Sequence, residues 1–277
     1  MKIDENYDPQ AHFVEVQKRI QTELGEPVTP SWKEVLEDWN GRAKYLTPRC
    51  FMFLVDLKLH QPILTTGMSV LGYEENWKFT GQEFIDLVHE NQKKLLSYQT
   101  IKLYELFLEY PELIQNKGAT YCTSRGIKDA SGKYQLAYQI AFPVQYDSNG
   151  VIARYLSHYT VLGEYKGEAL ETNMYAAPQF QKEQKEFRKL IRGIKEHMIE
   201  GLGFTRTQKQ VIDKMALKRY SKKEIAEQME ISPRTLESHK SNIIEKAKDA
   251  FPLNNFNNAE DVILYLEQQD IIRLVQS

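Results

Sequence analysis

The 277-residue chain contains only two cysteines, Cys50 and Cys122. Such sparse use of cysteine is typical of a reducing compartment, and it excludes both a disulfide scaffold and a cysteine-based structural zinc site. The six histidines show neither i, i+4 pairing nor cysteine neighbours, so we expect no metal ion.

Long apolar runs are also absent. No stretch approaches the roughly 18 consecutive apolar residues of a membrane helix, and the opening Met-Lys-Ile-Asp-Glu-Asn lacks the apolar core of a signal peptide. Hydrophobic residues at 42% and charged residues at 27% match ordinary globular chains. We therefore expect a cytoplasmic protein without membrane contact, built from about two domains of roughly 150 residues each.

Catalytic motifs are missing as well. The chain has no Gly-x-Ser-x-Gly, no glycine-rich phosphate loop and no nucleophile beside an evident base. The expectation is a protein that is not an enzyme.

Neither sign of charge dominates the whole chain, since 36 Lys and Arg face 38 Asp and Glu, for a net charge of -2. The distribution is uneven, however. Residues 203–249 carry 11 basic and 7 acidic side chains, whereas the remainder carries 25 and 31. Because the position of charge matters more than its sum, the C-terminal quarter is electrostatically distinct.

Periodicity divides the first part of the chain. Helical patterns over 9–24 and 31–46 predict that residues 1–48 form a helical cap or dimer arm. Within residues 49–165 the pattern is strand, strand, helices and three further strands, with the segments at 51–56, 63–66, 81–89, 92–110, 118–128, 133–146 and 151–162. Glycine-containing turns between the last three strands predict antiparallel hairpins. This order indicates an α+β fold with an antiparallel sheet and helices on one side.

Two stretches of this region resemble a PAS domain. Residues 63–73 look like the family's second strand and Leu-Gly-Tyr turn, and residues 84–91 are similar to its stretch ending in His-Pro-Asp-Asp, departing at the last two positions. The resemblance implies sensing or dimerisation and an unidentified small-molecule ligand, without naming the signal. Some relatives hold haem or flavin, but His89 and Cys122 lie in no cofactor motif, so structural roles are favoured and no cofactor is expected.

Residues 166–202 are predicted to be a linker with an amphipathic helix over 181–200. Its apolar stripe comprises Phe180, Phe187, Leu190, Ile191, Ile194 and Met198. A helix lying on its own domain and a helix pairing with its twin in a dimer both fit this pattern.

Three helix starts follow in residues 203–277. Capping boxes occur at 205–208 and 221–224, and Ser232-Pro233 provides a cap followed by proline at the first helical position. Only two residues separate the second helix from the cap of the third, which predicts the steep crossing of a helix-turn-helix unit, with Ile225, Ala226, Ile231 and Leu236 filling the angle.

The third helix has two chemically different faces. At about 100° per residue, one stripe is apolar, comprising Leu236, Ile243 and Ala247. The opposite face carries Arg234, Ser238, Ser241 and Glu245. Such a helix suits the DNA major groove, where base edges offer donors and acceptors. The cations expected to contact phosphates are Lys222, Lys223, Arg234 and Lys240.

Residues 204–212, 221–226, 231–243 and 257–265 resemble, in this order, the LuxR-type DNA-binding domain. Residues 203–277 are therefore expected to form an all-α four-helix helix-turn-helix domain. The resemblance implies base-edge positions for Glu237, Ser238 and Ser241, and positions near the DNA backbone for Thr235, His239 and Lys240. The sequence departs from the family at two places. In the first helix, Gln208 and Gln210 replace the usual pair of acidic residues, and the loop at 217–220 is about one residue longer than in the family and lacks its common glycine.

Some of these residues fit two roles. Glu237 suits either an acceptor for a cytosine amino group or an acid favoured near a helix N-terminus and paired with Arg234. For Lys222 and Lys223, the alternative to a phosphate contact is a place on a solvated face. For His239, the alternative to a contact near the DNA backbone is packing within the domain. The expected function is a dimeric transcription regulator binding double-stranded DNA; the alternative is a signalling adaptor whose helix-turn-helix docks a protein such as RNA polymerase.

Overall fold

An antiparallel sheet with helices on it forms the N-terminal part of the protein. The computed structural model describes residues 9–116, 119–176, 184–269 and 271–272. The elements of the N-terminal part are α1 (Pro9–Glu23), β1 (Pro27–Thr29), α2 (Trp32–Lys44), β2 (Cys50–Asp56), β3 (Gln61–Thr66), a short 3-10 helix (Met68–Leu71), α3 (Gly81–Leu87), α4 (Glu90–Glu109), α5 (Pro111–Asn116), β4 (Thr120–Lys128), β5 (Tyr134–Asp147), β6 (Ile152–Glu164) and β7 (Thr172–Tyr175). The C-terminal part contains α6 (Gln184–Gly201), α7 (Arg206–Ala216), α8 (Lys222–Gln228), α9 (Pro233–Ala250) and α10 (Ala259–Gln268).

The strand order is β3-β2-β6-β5-β4-β7, and β1 pairs with β5. This arrangement confirms the α+β class and the predicted antiparallel hairpins. Gly132 and Gly150 in the hairpin turns have φ of 86° and 79°, a conformation that glycine adopts without strain. Strands β1 and β7 were not predicted, because three and four residues are too few to show alternation. Gly118, in the predicted strand at 118–128, lies outside the described residues.

Strand β2 is buried on both faces, which explains its uninterrupted apolar run. On one face, Phe51 and Phe53 pack with Tyr159 and with the 3-10 helix and α3. On the other face, Met52 and Leu54 contact α2 through Val35 and Trp39. Helix α2 therefore covers the face opposite to α3, a position that its periodicity alone did not indicate.

Helix α6 lies against α4 and β7 of its own chain. Its stripe residues Phe187, Ile194 and Met198 are almost fully buried there, as expected for a helix lying on its own domain. Phe180, included in the predicted stripe, lies outside the described residues. Pairing of two such helices in a dimer stays a prediction, as does a dimer role for residues 1–48.

The N-terminal and C-terminal parts are packed together. Asn91 of α4 accepts from the Leu253 N–H at 3.1 Å and donates to the side chain of Asn254. Gln269, after α10, accepts from the Leu170 N–H at 3.3 Å. The contacts run through the loop after α9 and the end of α10. The predicted boundaries at residues 48, 165 and 202 stay predictions.

Two further properties of the described ranges bear on function. None of their helices is long and apolar enough to cross a membrane. Nowhere in these ranges do three His, Cys, Asp or Glu side chains come together as a metal site requires. His89 packs its ring between Tyr134 and Tyr165, and Cys122 is buried in β4, where burial raises the pKa of its thiol.

Candidate nucleic-acid interface

Local hydrogen bonds define the start of each helix in the C-terminal part. Ser221 forms both halves of a capping box, since its hydroxyl accepts from the Glu224 N–H and its own N–H donates to the Glu224 carboxylate at 2.7 Å. These bonds lower the pKa of Glu224. Thr205 forms a second complete box. The Ser232 hydroxyl accepts from the Thr235 N–H at 3.0 Å, which fixes the first turn of α9.

The turn between α8 and α9 is tight. Glu230 adopts φ of 54°, and the Ile231 N–H donates to the Ala226 carbonyl at 3.0 Å, which closes the end of α8. Ile225, Ala226 and Leu236 are almost fully buried in the angle between the helices, and Ile231 is half-buried. The predicted packing of these four side chains at the turn is thereby confirmed, and the steep crossing stays a prediction. In the longer preceding loop, Lys218 adopts φ of 54° without a glycine.

The two faces of α9 differ as predicted. Leu236, Ile243 and Ala247 are buried in the domain core. Arg234, Thr235, Glu237, Ser238, Ser241 and Glu245 are exposed, and His239 is half-buried. These side chains are exposed while the N-terminal part is packed against the C-terminal part. The N-terminal part therefore does not cover the outer face of α9. The hydroxyl of Ser241 bonds back to the Glu237 carbonyl at 3.1 Å, and that of Thr235 lies 2.8 Å from the Ser232 hydroxyl.

Lys222 and Lys223 extend the exposed surface at the start of α8. The Lys222 ammonium lies 3.4 Å from the Glu237 carboxylate, which raises the lysine pKa, and that of Lys223 lies 3.8 Å from Glu227. Exposed pairs of this kind are weak and are screened by salt, so both lysines remain available to phosphates. Glu237 thus pairs with Lys222, and no ion pair between Glu237 and Arg234 is present in the described part of the chain.

Lys240 occupies a different environment from the one expected of a phosphate contact. Its side chain is only 8% exposed, and its ammonium lies 3.2 Å from Glu260 of α10 and 3.9 Å from Glu237. Lys240 therefore joins α9 to α10. A phosphate contact by this residue stays a prediction that its burial does not support.

One positioning residue, Lys246, was missed by sequence reasoning. Lys246 donates to Gln208 at 3.0 Å and to the Gly203 carbonyl at 2.5 Å, which ties α9 to the start of α7. Gln208 itself is 3% exposed and completes the Thr205 capping box. Partners 38 residues apart leave no local sequence signal.

Residues 203–248 match the model of bacterial regulatory proteins of the luxR family, GerE. This segment is a LuxR-type helix-turn-helix domain. The match confirms the resemblance seen in the sequence and assigns the segment to a family of DNA-binding regulators. It does not extend to residues 49–165, so the PAS-like character of the N-terminal part stays a prediction.

Several solved structures are similar to most of the chain. The phage VqmA-DPO complex is 15% identical and covers 89% of this chain and 94% of its own, with a TM-score of 0.29. A Vibrio cholerae VqmA dimer without target DNA is 13% identical; the match covers 86% of this chain and 90% of the VqmA chain, with a TM-score of 0.28. Escherichia coli SdiA is 12% identical; the match covers 96% of this chain and 100% of the SdiA chain, with a TM-score of 0.26. No curated protein matches the chain.

Proposed function

We propose that this protein is a transcription regulator that places α9 in the major groove of double-stranded DNA. The observation that carries the proposal is the exposure of Arg234, Ser238 and Ser241 while the N-terminal part is docked. Base edges are read by side chains that project from an accessible helix. Buried side chains at these three positions would have excluded this role.

The other exposed residues divide between two tasks. Glu237, Ser238 and Ser241 lie on the outer face of α9 and are assigned to base edges. Lys222 and Lys223 at the start of α8 are assigned to phosphates, since the first helix of a helix-turn-helix crosses the DNA backbone. Phosphate contacts orient the protein without reading sequence. Further backbone contacts are assigned to Arg234, Thr235 and His239.

The regulator acts in this proposal as a cytoplasmic homodimer. Two copies of α9 related by a two-fold axis would read two half-sites about one helical turn apart on a partly palindromic duplex. The N-terminal part would act as a PAS-like sensor or dimerisation domain that controls the C-terminal domain.

The test uses the full chain. Selection from a random oligonucleotide pool should enrich two related half-sites, and affinity for the selected duplex should fall log-linearly with salt. Combining Lys222→Glu with Lys223→Glu should weaken binding to all duplexes alike and, because two lysines are lost from each of two subunits, reduce the salt slope by about four. The matched control combines Lys33→Glu with Lys44→Glu on α2, both exposed and equal in charge change.

A flat salt response, or equal losses in the two double variants, would overturn the proposal. Unchanged DNA binding together with lost binding of RNA polymerase in the Lys222 and Lys223 variant would instead support the adaptor alternative. Ser238→Ala should change the base preference at one position of each half-site, whereas the phosphate variants should leave base preference intact.

A further inference from the structure

A cavity of about 230 Å³ lies between the sheet and helices α3 and α4. A single buried water needs only about 10–15 Å³, and an apolar cavity of about 150 Å³ accommodates a benzene ring. The walls are rich in carbon and include Phe53 on β2, Phe84 on α3, Leu96 and Leu103 on α4, and Ala141 on β5. The cavity is therefore large enough for a substituted ring.

One charged side chain faces this apolar space. Arg125 of β4 lines the cavity and is 4% exposed. One terminal nitrogen of its guanidinium donates to Gln139 Oε1 at 2.5 Å, and Gln139 in turn donates to the Ser157 hydroxyl at 2.8 Å. The Arg125 Nε is buried and has no hydrogen-bond partner among the described residues. No Asp or Glu belongs to the described lining of the cavity.

The remaining polar groups of the lining do not balance this charge. Burial raises the pKa of Tyr159 to about 12 and also raises those of Tyr104, Tyr121 and Tyr155, so the four phenols are neutral near pH 7. Burial lowers the pKa of His60, which keeps this imidazole neutral as well. The described lining thus carries one positive charge, and a buried unpaired charge is strongly unfavourable.

We infer that the cavity binds a small organic monoanion: a carboxylate that pairs with Arg125, carried on an apolar body about the size of one substituted ring. The planar guanidinium fork matches a carboxylate, and the pair would satisfy the free Nε donor. A single cation balances a single negative charge, which favours a carboxylate over a doubly charged phosphate monoester. This inference goes beyond the proposed function and does not depend on DNA binding.

The test measures binding of defined probes to the full chain. Benzoate, phenylacetate and indole-3-acetate are compared with their neutral amides by isothermal titration and by thermal unfolding. We expect at least one acid to bind saturably and to raise the unfolding temperature, and its amide to bind about tenfold more weakly or worse, because hydrogen bonds to a charged group are lost. Binding of none of the acids, or equal binding of acid and amide, would overturn the inference.

Two variants separate a ligand role of Arg125 from a structural one. Arg125→Met should lose about tenfold or more in affinity for the acid. Without probe it should unfold near the wild-type temperature, since removal of the buried charge offsets the lost hydrogen bond to Gln139. The control Arg192→Met, at an exposed position of α6, should leave affinity unchanged. Unfolding of Arg125→Met well below wild type, or retention of acid binding, would contradict the inference. A failure of DNA binding would leave all these outcomes unchanged, so the two proposals fail separately.

Discussion

The C-terminal end of helix α6 makes a close contact with the N-terminal part. A Cβ atom placed on Gly201, the last residue of α6, would lie 2.5 Å from carbons of the Tyr98 ring on α4. Ordinary contact at such a position is 3.4–4 Å. Tyr98 is 1% exposed and belongs to the hydrophobic core, so neighbouring side chains hold its ring in place. Gly201→Ala should therefore separate α6 from α4 by about 1 Å or strain the buried ring.

The expected loss of stability follows from two opposing effects. Overpacking a well-packed site costs about 1–3 kcal/mol. Alanine gains about 0.5–1 kcal/mol over glycine in a helix interior, and less at a helix end. The overpacking effect is larger, so we expect Gly201→Ala to lower the free energy of unfolding by about 1–2 kcal/mol.

The matched control is Gly193→Ala in the same helix. No atom lies within 4 Å of the position its Cβ would take, so only the helix-propensity gain remains. The two variants should therefore differ by roughly 2–3 kcal/mol in urea unfolding followed by tryptophan fluorescence, and by on the order of 5–10 °C in unfolding temperature. If Gly201→Ala is as stable as Gly193→Ala, the close approach of α6 to α4 is wrong.

Three further predictions concern charge and hydrogen bonds. Glu237→Gln replaces a carboxylate assigned to a base edge, so the DNA base preference should relax at one base pair of each half-site; a higher affinity for all sequences with an unchanged base preference would show instead that Glu237 only pairs with Lys222. Asn91→Ala removes the acceptor of the Leu253 N–H, and the free energy of unfolding in urea should fall by about 0.5–1.5 kcal/mol; an unchanged urea midpoint would contradict the observed docking. Burial lowers the pKa of three histidines, so their contribution to stability is present above the unfolded value of about 6.5 and is lost as pH falls below it. The urea midpoint should decline from pH 7.5 to 5.5, and a flat profile would contradict this assignment for His60, His89 and His158.

Much of the C-terminal domain was predictable because its determinants lie within one helical turn. The capping boxes at Thr205 and Ser221 and the cap at Ser232 join residues three positions apart. The exposed and buried faces of α9 follow from helical period alone. The long strands and their glycine turns were readable for the same reason, since alternation and turn chemistry are local.

The tertiary structure decided which distant side chains meet. The sequence predicts a phosphate contact for Lys240, yet its side chain is buried against Glu260, 20 positions away. Alternation places Arg125 on one face of β4. It cannot show that the cavity walls around this residue lack an acid, because those walls come from five other strands and four helices. Hydrogen-bonded caps and periodicity are encoded in neighbouring residues, whereas charge compensation and cavity shape depend on how separate elements pack.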